Sequence, residues 1–142
     1  MSKQFNVGKD IVLSIVGPTG PLQQLGLLEE FDAVPETNTL RSLPINNNGI
    51  PVFRTTYQGW KLTFTFARTD GIADILHNLL ETNFFAGNPD IHFFITEQIR
   101  NPDGTTDTFT YLDVSMAMES AGKFQQDDKV QQRFRGSAAQ RV

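Results

Sequence analysis

Apolar and polar residues alternate most regularly over residues 54–68. The apolar positions are Trp60, Leu62, Phe64 and Phe66, and the polar positions between them are Lys61, Thr63 and Thr65. Side chains of a β-strand point alternately to its two faces, so this pattern predicts a long strand with one face on a hydrophobic core. The β-branched and aromatic residues of the segment favour the same structure.

Five further segments are predicted to be strands, from β-branched composition or from the same alternation. They cover residues 10–16, 28–35, 91–100, 105–120 and 130–138. The second of them is expected to end at Pro35 and to carry Glu30 and Asp32 on its polar face. The turn sequence Asn101-Pro102-Asp103-Gly104 connects the third and fourth segments, which predicts an antiparallel hairpin.

The last two predicted strands each have two distinguishable faces. In residues 105–120 the alternation places Leu112, Val114, Met116 and Met118 opposite Tyr111, Asp113, Ser115 and Glu119. In residues 130–138 it places Gln132 and Phe134 opposite Arg133 and Arg135. The pattern leaves open whether these two arginines share a face with the polar residues of the other strands.

The spacing of apolar residues changes over residues 72–86 and predicts one helix. Asp70 is a candidate N-cap, and Gly87 and Pro89 are stop signals. The apolar stripe, which should pack on the sheet, consists of Ile72, Ile75, Leu76, Leu79 and Leu80. The residues expected to point outward are Asp74, His77, Asn78 and Glu81.

Residues 35–51 show no apolar period and contain Pro44 and the run Asn46-Asn47-Asn48-Gly49, in which Asn and Gly accept positive φ at low cost. This segment is interpreted as a long mobile loop or the tip of a ribbon. Its few apolar residues are Leu40, Leu43, Ile45 and Ile50. Such a loop is poorly stabilised alone, so we expect an arm that packs on a neighbouring subunit and is ordered only there.

Length and composition narrow the class of protein. The chain has 142 residues, which fits one domain, and a predominance of strands around one helix predicts a mainly β fold, an antiparallel β-sandwich or barrel with one flanking α-helix. A net charge of -4 disfavours tight nucleic-acid binding by a lone subunit. The absence of Cys excludes disulfides and thiolate chemistry.

The amino-terminal residues lack the apolar run of a signal peptide, and no segment is long enough for a membrane span. The chain is therefore expected to stay in the cytosol where it is made.

Candidate catalytic groups are few. Asp74, His77 and Glu81 have helical spacing, but they belong to the side of the helix expected to face solvent. His92 shows no acidic partner near it in the sequence and is interpreted as a strand-edge residue. The Gly and Pro residues of 17–21 lack the Gly-Lys-Ser/Thr ending of a phosphate loop. We therefore predict no catalytic, cofactor-binding or metal site.

Three segments resemble the tail tube proteins of bacteriophages. They are Tyr57-Gln58-Gly59-Trp60 in the long strand, Arg68-Thr69-Asp70-Gly71 before the helix, and residues 123–132 before the last strand. The match is greatest to the short tube proteins of contractile tails and extends from about Asp10 to Arg141.

The resemblance implies a structural subunit whose copies form hexameric rings that stack into a hollow conduit for DNA. The implied partners are other copies of the chain together with sheath, tape-measure and baseplate proteins, and DNA passes through without specific binding. The implied location is the tail of a virion assembled in the host cytoplasm, without a membrane or a cofactor. The loop of residues 35–51, including Arg41, would supply the contacts between subunits.

Polar strand positions then become candidates for the wall of the conduit. They are Glu30, Asp32, Lys61, Thr63, Thr65, Asp113, Ser115 and Glu119. Carboxylates predominate among them, so six copies are expected to form a negative wall that repels phosphates.

Two other interpretations fit the same residues. One is a tube protein of a related contractile injection machine, and the other is a tube-initiating baseplate or tail-end protein that forms a single ring. A third class, an enzyme built on a β-sandwich, has no support in the spacing of His, Asp, Glu or Ser.

Overall fold

The computed structural model of the chain describes residues 4–7, 10–18, 20–21 and 27–142. Within them the elements are β1 (Ile11–Gly17), β2 (Gly20–Pro21), β3 (Leu27–Ser42), β4 (Val52–Ala67), α1 (Ile72–Phe85), β5 (His92–Arg100), β6 (Thr106–Ser120), β7 (Gln131–Ala138) and β8 (Gln140–Arg141). Thr19, in the loop of residues 17–21, lies outside the described residues. The predicted helix and the predicted hairpin of β5 and β6 are confirmed.

All eight described strands belong to one antiparallel sheet. Its order is β2-β1-β5-β6-β7-β4-β3, and β8 pairs with β6 beside this path. No backbone pairing among the described residues joins β2 to β3, so the sheet is open. The mainly β fold class with one helix is confirmed, and one antiparallel sheet supplies all of its strands.

The sheet curls over its own apolar face. The ring of Phe31 in β3 lies 6.0 Å from that of Tyr111 in β6, although β4 and β7 separate the two strands in the sheet. Trp60 of β4 contacts the same tyrosine ring at 5.9 Å between centroids. The core therefore lies inside the curl, and its fully buried residues include Leu62, Phe64, Phe93, Ile95, Val114 and Phe134.

A bulge in β6 exchanges the two faces of that strand. Asp113 has a positive φ of 51°, and the register with β5 shifts between the pairs that contain Val114 and Tyr111. An extra residue reverses the alternation, so Tyr111 and Val114 both point into the core. The expectation that Tyr111 faces away from Val114 is therefore wrong.

Strand β3 continues past Pro35 to Ser42 and pairs with β4 over its whole length. Proline lacks an amide donor, but β3 is an edge strand and a register shift lies directly after Pro35, so no ladder hydrogen bond is lost in a sheet interior. The expected strand end at Pro35 is therefore wrong. Residues 37–42 and 52–57 form a two-stranded extension, called here the ribbon.

The ribbon is closed by a compact turn. The Asn47 amide nitrogen donates to the Pro44 carbonyl at 3.3 Å, and its side-chain nitrogen donates to the Ile50 carbonyl at 2.9 Å. Asn48 and Gly49 both have positive φ. The segment is thus the tip of a ribbon, one of the two structures that the sequence allowed, and its packing on a neighbouring subunit stays a prediction.

Helix α1 packs on the sheet with part of the predicted stripe, because Ile72, Leu76 and Leu80 contact the core. Ala73 and Leu76 are buried, whereas Ile75 and Leu79 of the predicted stripe are exposed. Asp74, which was expected in solvent, accepts a hydrogen bond from the Gln132 side chain at 2.9 Å. The buried Gln132 side chain needs a polar partner, and its hydrogen bond turns the Asp74 side of the helix toward the sheet, which leaves Ile75 and Leu79 outside.

Candidate functional site

The polar side of the sheet brings most of the predicted wall residues together. Cross-strand pairs connect Thr65 to both Glu30 and Arg133, and Thr63 to both Asp32 and Arg135. One shallow hollow of about 310 Å³ is lined by Glu30, Lys61, Thr63, Thr65, Glu119, Arg133 and Arg135. These residues and Asp32 are called the polar face.

The charges of the polar face balance. The register places Arg133 and Arg135 on the same face as Glu30 and Asp32, which the sequence left open. The carboxylates are Glu30, Asp32 and Glu119, and the cations are Lys61, Arg133 and Arg135. Within the described residues, none of these cations lies within 4 Å of a carboxylate. Over this patch the carboxylates lie on the outer strands β3 and β6 and the cations lie on β4 and β7 between them, while the negative wall of an assembled conduit stays a prediction.

Ser115 and Asp113 lie apart from that hollow. Ser115 lines a second hollow with Lys61 and Arg135, and its hydroxyl donates to Asp90 at 2.6 Å. Asp113 is the exposed bulge residue of β6. The bulge determines the position of Asp113, and the alternation of apolar and polar residues in the sequence does not indicate that bulge.

The histidines have acidic neighbours without catalytic geometry. His77 Nε2 lies 3.1 Å from Glu81 across one helical turn. His92 Nε2 lies 3.5 Å from Asp90, so the absence of a nearby acidic partner was a wrong expectation. Asp90 stands between His92 and Ser115, and the serine proton is directed to the carboxylate rather than to an imidazole base, unlike the order of a nucleophilic triad.

Asp74 and Gln132 tie the helix to the sheet. Besides Gln132, Asp74 accepts hydrogen bonds from Arg68, at 3.1 Å from the nearer guanidinium nitrogen. The Asp70 side chain accepts from the Ile72 amide at 3.1 Å, while Gly71 occupies the N-cap position. The polar atoms at the start of the helix thus serve structure.

A buried polar cluster lies at the other end of the core. The Arg141 guanidinium sits 4.2 Å from the Trp60 ring centroid and 4.1 Å from that of Phe109. Burial raises the pKa of the Glu97 carboxyl, and the Arg141 charge opposes this rise. Burial also raises the pKa of the Tyr111 hydroxyl, the oxygen of which has no hydrogen-bond partner among the described atoms. This cluster anchors β8 and was not indicated by local sequence.

The ribbon exposes apolar side chains on both of its faces. Leu40 and Val52 lie on one face, and Phe53 and Tyr57 lie on the other, and all four are exposed. The predicted contact residues of the turn, Leu43, Ile45 and Ile50, are exposed as well. Sequence reasoning missed Val52, Phe53 and Tyr57, although their aromatic and β-branched character is unusual for a solvated strand.

Two features are absent from the described part of the chain. No group of three His, Asp or Glu residues there is arranged to hold a metal ion. No helix there combines the length and apolarity required to cross a membrane.

Comparison with known proteins gives matches at the level of structure. No protein-family model and no curated protein sequence matches the chain. A chain from the sheath-tube complex of an extracellular contractile injection system (PVC), in the extended state, superposes with a TM-score of 0.61 and 12% identity, covering 92% of this chain and 86% of that one. The chain has the fold of contractile-system tail components.

Two other solved assemblies contain chains with this tail-tube-like fold. A chain of the 6-fold symmetrised anti-feeding prophage baseplate gives a TM-score of 0.60 at 10% identity and covers 100% of this chain and 96% of its own length. A chain from the tail of an empty GTA particle, determined with C6 symmetry, gives 0.53 at 14% identity with 96% coverage of both chains. The tail-component fold thus extends over the whole of this chain.

Proposed function

We propose that this chain is a structural subunit of a contractile-type tail tube, in which hexameric rings stack into a hollow conduit. The observation that carries this proposal is the ribbon, a paired extension with exposed apolar residues on both faces and no third strand beside it in the described part of the chain. A large exposed apolar surface on a tail-component fold is typical of a subunit that is completed by its neighbours.

The open sheet supports ring formation. Among the described residues no strand pairs with the outer edge of β3 along its 16 residues, and such an edge is a template for pairing with another chain. Side-by-side joining of six sheets would close these edges into a continuous barrel. The six-fold symmetry named for two of the similar assemblies favours a ring of six.

In the proposed tube the polar face lines the lumen and DNA passes through it. A balanced face neither attracts phosphates strongly nor repels them strongly, which suits transport without specific binding. Replacing Glu30 and Asp32 with Lys should make assembled tubes retain DNA at low salt and release it at high salt. Unchanged retention at both salt concentrations would place these residues outside the lumen.

The same proposal assigns sheath, tape-measure and baseplate proteins as further partners, a location in a virion tail assembled in the host cytoplasm, and no enzymatic role. The tube is the part of these assemblies that such proteins would surround, fill or terminate.

Electron microscopy of the purified protein tests assembly. Stacked rings or tubes are expected for the unmodified chain, and a dispersed monomer at high concentration would contradict the proposal. Deleting residues 41–49 should leave a folded subunit that no longer forms tubes. If tube formation survives that deletion, the ribbon is not the contact between subunits.

One alternative is favoured by a particular match. The baseplate chain of the anti-feeding prophage shares the fold, so this chain could instead form a single tube-initiating or terminal ring. Isolated rings that never lengthen, even at high protein concentration, would favour this alternative. The match to an injection-system chain raises a second alternative, a tube without a DNA cargo.

A further inference from the structure

Helix α1 presents an apolar surface to solvent. Ile75, Leu79, Phe84 and Phe85 are all exposed, although the opposite side of the same helix packs on the sheet. A shallow groove of about 550 Å³ runs along the carboxyl-terminal half of the helix. It is lined by Asn78, Glu81, Thr82, Phe85 and Ala86. These exposed apolar side chains and the groove are called the helix groove.

The helix groove lies in an acidic segment. Residues 72–91 contain neither Lys nor Arg, and Glu81 lines the groove, whereas Asp74 and Asp90 accept hydrogen bonds from Arg68 and Ser115 elsewhere. The last turn of the helix has no basic residue to complement the partial negative charge of its carbonyl end. This surface is therefore suited to an occupant that is both apolar and cationic.

The turn end of the ribbon, residues 40–54, has the complementary properties. It contains Arg41 and Arg54 and no carboxylate. Its apolar side chains are exposed, and that of Ile45 at the turn is 97% accessible. These two exposed apolar surfaces thus carry opposite charge.

We propose that the turn end of the ribbon of one copy docks in the helix groove of a neighbouring copy. The inference rests on the proposed function, because it needs an assembly of identical chains, and it adds the place where the ribbon binds. Two different surfaces meeting head to tail generate a ring or an open-ended stack rather than an isologous dimer, and both contacts occur in a tube of stacked rings. The arginines would be drawn to Glu81 and the helix end, while Ile45 and its apolar neighbours cover Leu79 and Phe85.

Cross-linking tests the contact directly, because the chain contains no cysteine. Ile45→Cys combined with Leu79→Cys, or Ile50→Cys combined with Phe85→Cys, should give covalent ladders of chains when tubes are treated with a short bis-maleimide. Ile45→Cys combined with Gln98→Cys is the matched control, since Gln98 is exposed on β5 away from the helix, and it should give no ladder. Tubes that form normally but cross-link through neither test pair would overturn the docking site and leave the tube proposal intact.

Charge reversal gives a second readout for variants that assemble poorly. Arg41→Glu with Arg54→Glu should raise the critical concentration for assembly by about tenfold. Adding Glu81→Arg should reverse most of this rise, because close charge pairs are coupled. Asp127→Arg, in an exposed turn distant in sequence, is the control and should not restore assembly. Equal rescue by Asp127→Arg would show that only net charge matters and would overturn the inference. Failure of the unmodified chain to assemble would instead contradict the proposed function.

Discussion

Strands β3 and β4 pair with each other along their whole length, yet their two halves exist in different surroundings. Near the body of the sheet, β4 also pairs with β7, and Phe64 is fully buried. In the ribbon no third strand is present among the described residues, and Phe53 is 60% exposed. Strand β4 thus has a phenylalanine in the core at one end and a phenylalanine on the surface at the other.

This difference separates pairing from burial as sources of stability. Cross-strand hydrogen bonds are present in both halves, but an isolated two-stranded ribbon is at best marginally stable in water. The body half gains the free energy of apolar burial, whereas the ribbon half would gain it only from a neighbouring molecule. The ribbon is therefore the part of the fold in which assembly and stability are coupled.

The largest effect is expected from matched phenylalanine substitutions in the two halves. Phe64→Ala should lower the free energy of unfolding by about 3–5 kcal/mol, because it removes a buried aromatic ring and leaves a cavity. Phe53→Ala should change it by less than about 0.5 kcal/mol, as is usual for surface positions, while weakening tube assembly. Urea denaturation of the unassembled chain measures both. Equal losses for the two variants would contradict the division of the strand pair.

The helix allows the same comparison with identical residues. Leu76 is 6% exposed and Leu79 is 55% exposed. Leu76→Ala should cost about 2–5 kcal/mol of stability, and Leu79→Ala should cost far less. Thermal unfolding of both variants, with His77→Ala as a further exposed control, checks the prediction. A large loss for Leu79→Ala would mean that the outer side of the helix is covered within the subunit.

The boundary between body and ribbon is expected to be sensitive to one glycine. Gly59 has a φ of 97°, and a Cβ at this position would collide with the carbonyl oxygen of Ala138. Gly59→Ala should therefore destabilise the chain by about 1–3 kcal/mol through backbone strain and the displacement of β7. Gly49→Ala is the control, because Gly49 also has positive φ but meets no neighbouring atom. A smaller loss for Gly59→Ala than for Gly49→Ala would contradict the close approach.

The smallest effect is expected for Glu97, a buried carboxyl in the body of the sheet. Burial raises the pKa of Glu97, so the folded state holds the proton more tightly than the unfolded state. The resulting stabilisation is present at low pH and is lost as the pH rises through the raised pKa. Glu97→Gln should therefore be more stable than the unmodified chain at about pH 8, and the advantage should shrink toward about pH 4, where carboxyls protonate.

Denaturation midpoints at the two pH values measure this change. Arg141→Met should enlarge the loss at high pH, because Arg141 opposes the rise in the Glu97 pKa. An Arg141→Met variant with the same pH dependence as the unmodified chain would show that the two charges do not interact.

The sequence by itself determined the elements whose signals are local. The helix from Ile72 to Phe85 has a 3.6-residue period with stop signals after it, and the hairpin of β5 and β6 has its turn residues in place. The inward face of β4 followed from strict alternation. These features depend on backbone preference and on which face of an element meets an apolar core. Both can be inferred from residues that are close together in the sequence.

Tertiary structure decided the rest, because the deciding partners are far apart in the chain. The bulge at Asp113 reversed the face of Tyr111, and one inserted residue leaves the apolar composition of a strand unchanged. Gln132 set the orientation of the helix through Asp74, 58 residues away. The shared face of Arg133, Arg135 and the acidic residues of β3 required the order of the strands in the sheet, which alternation within single strands does not specify.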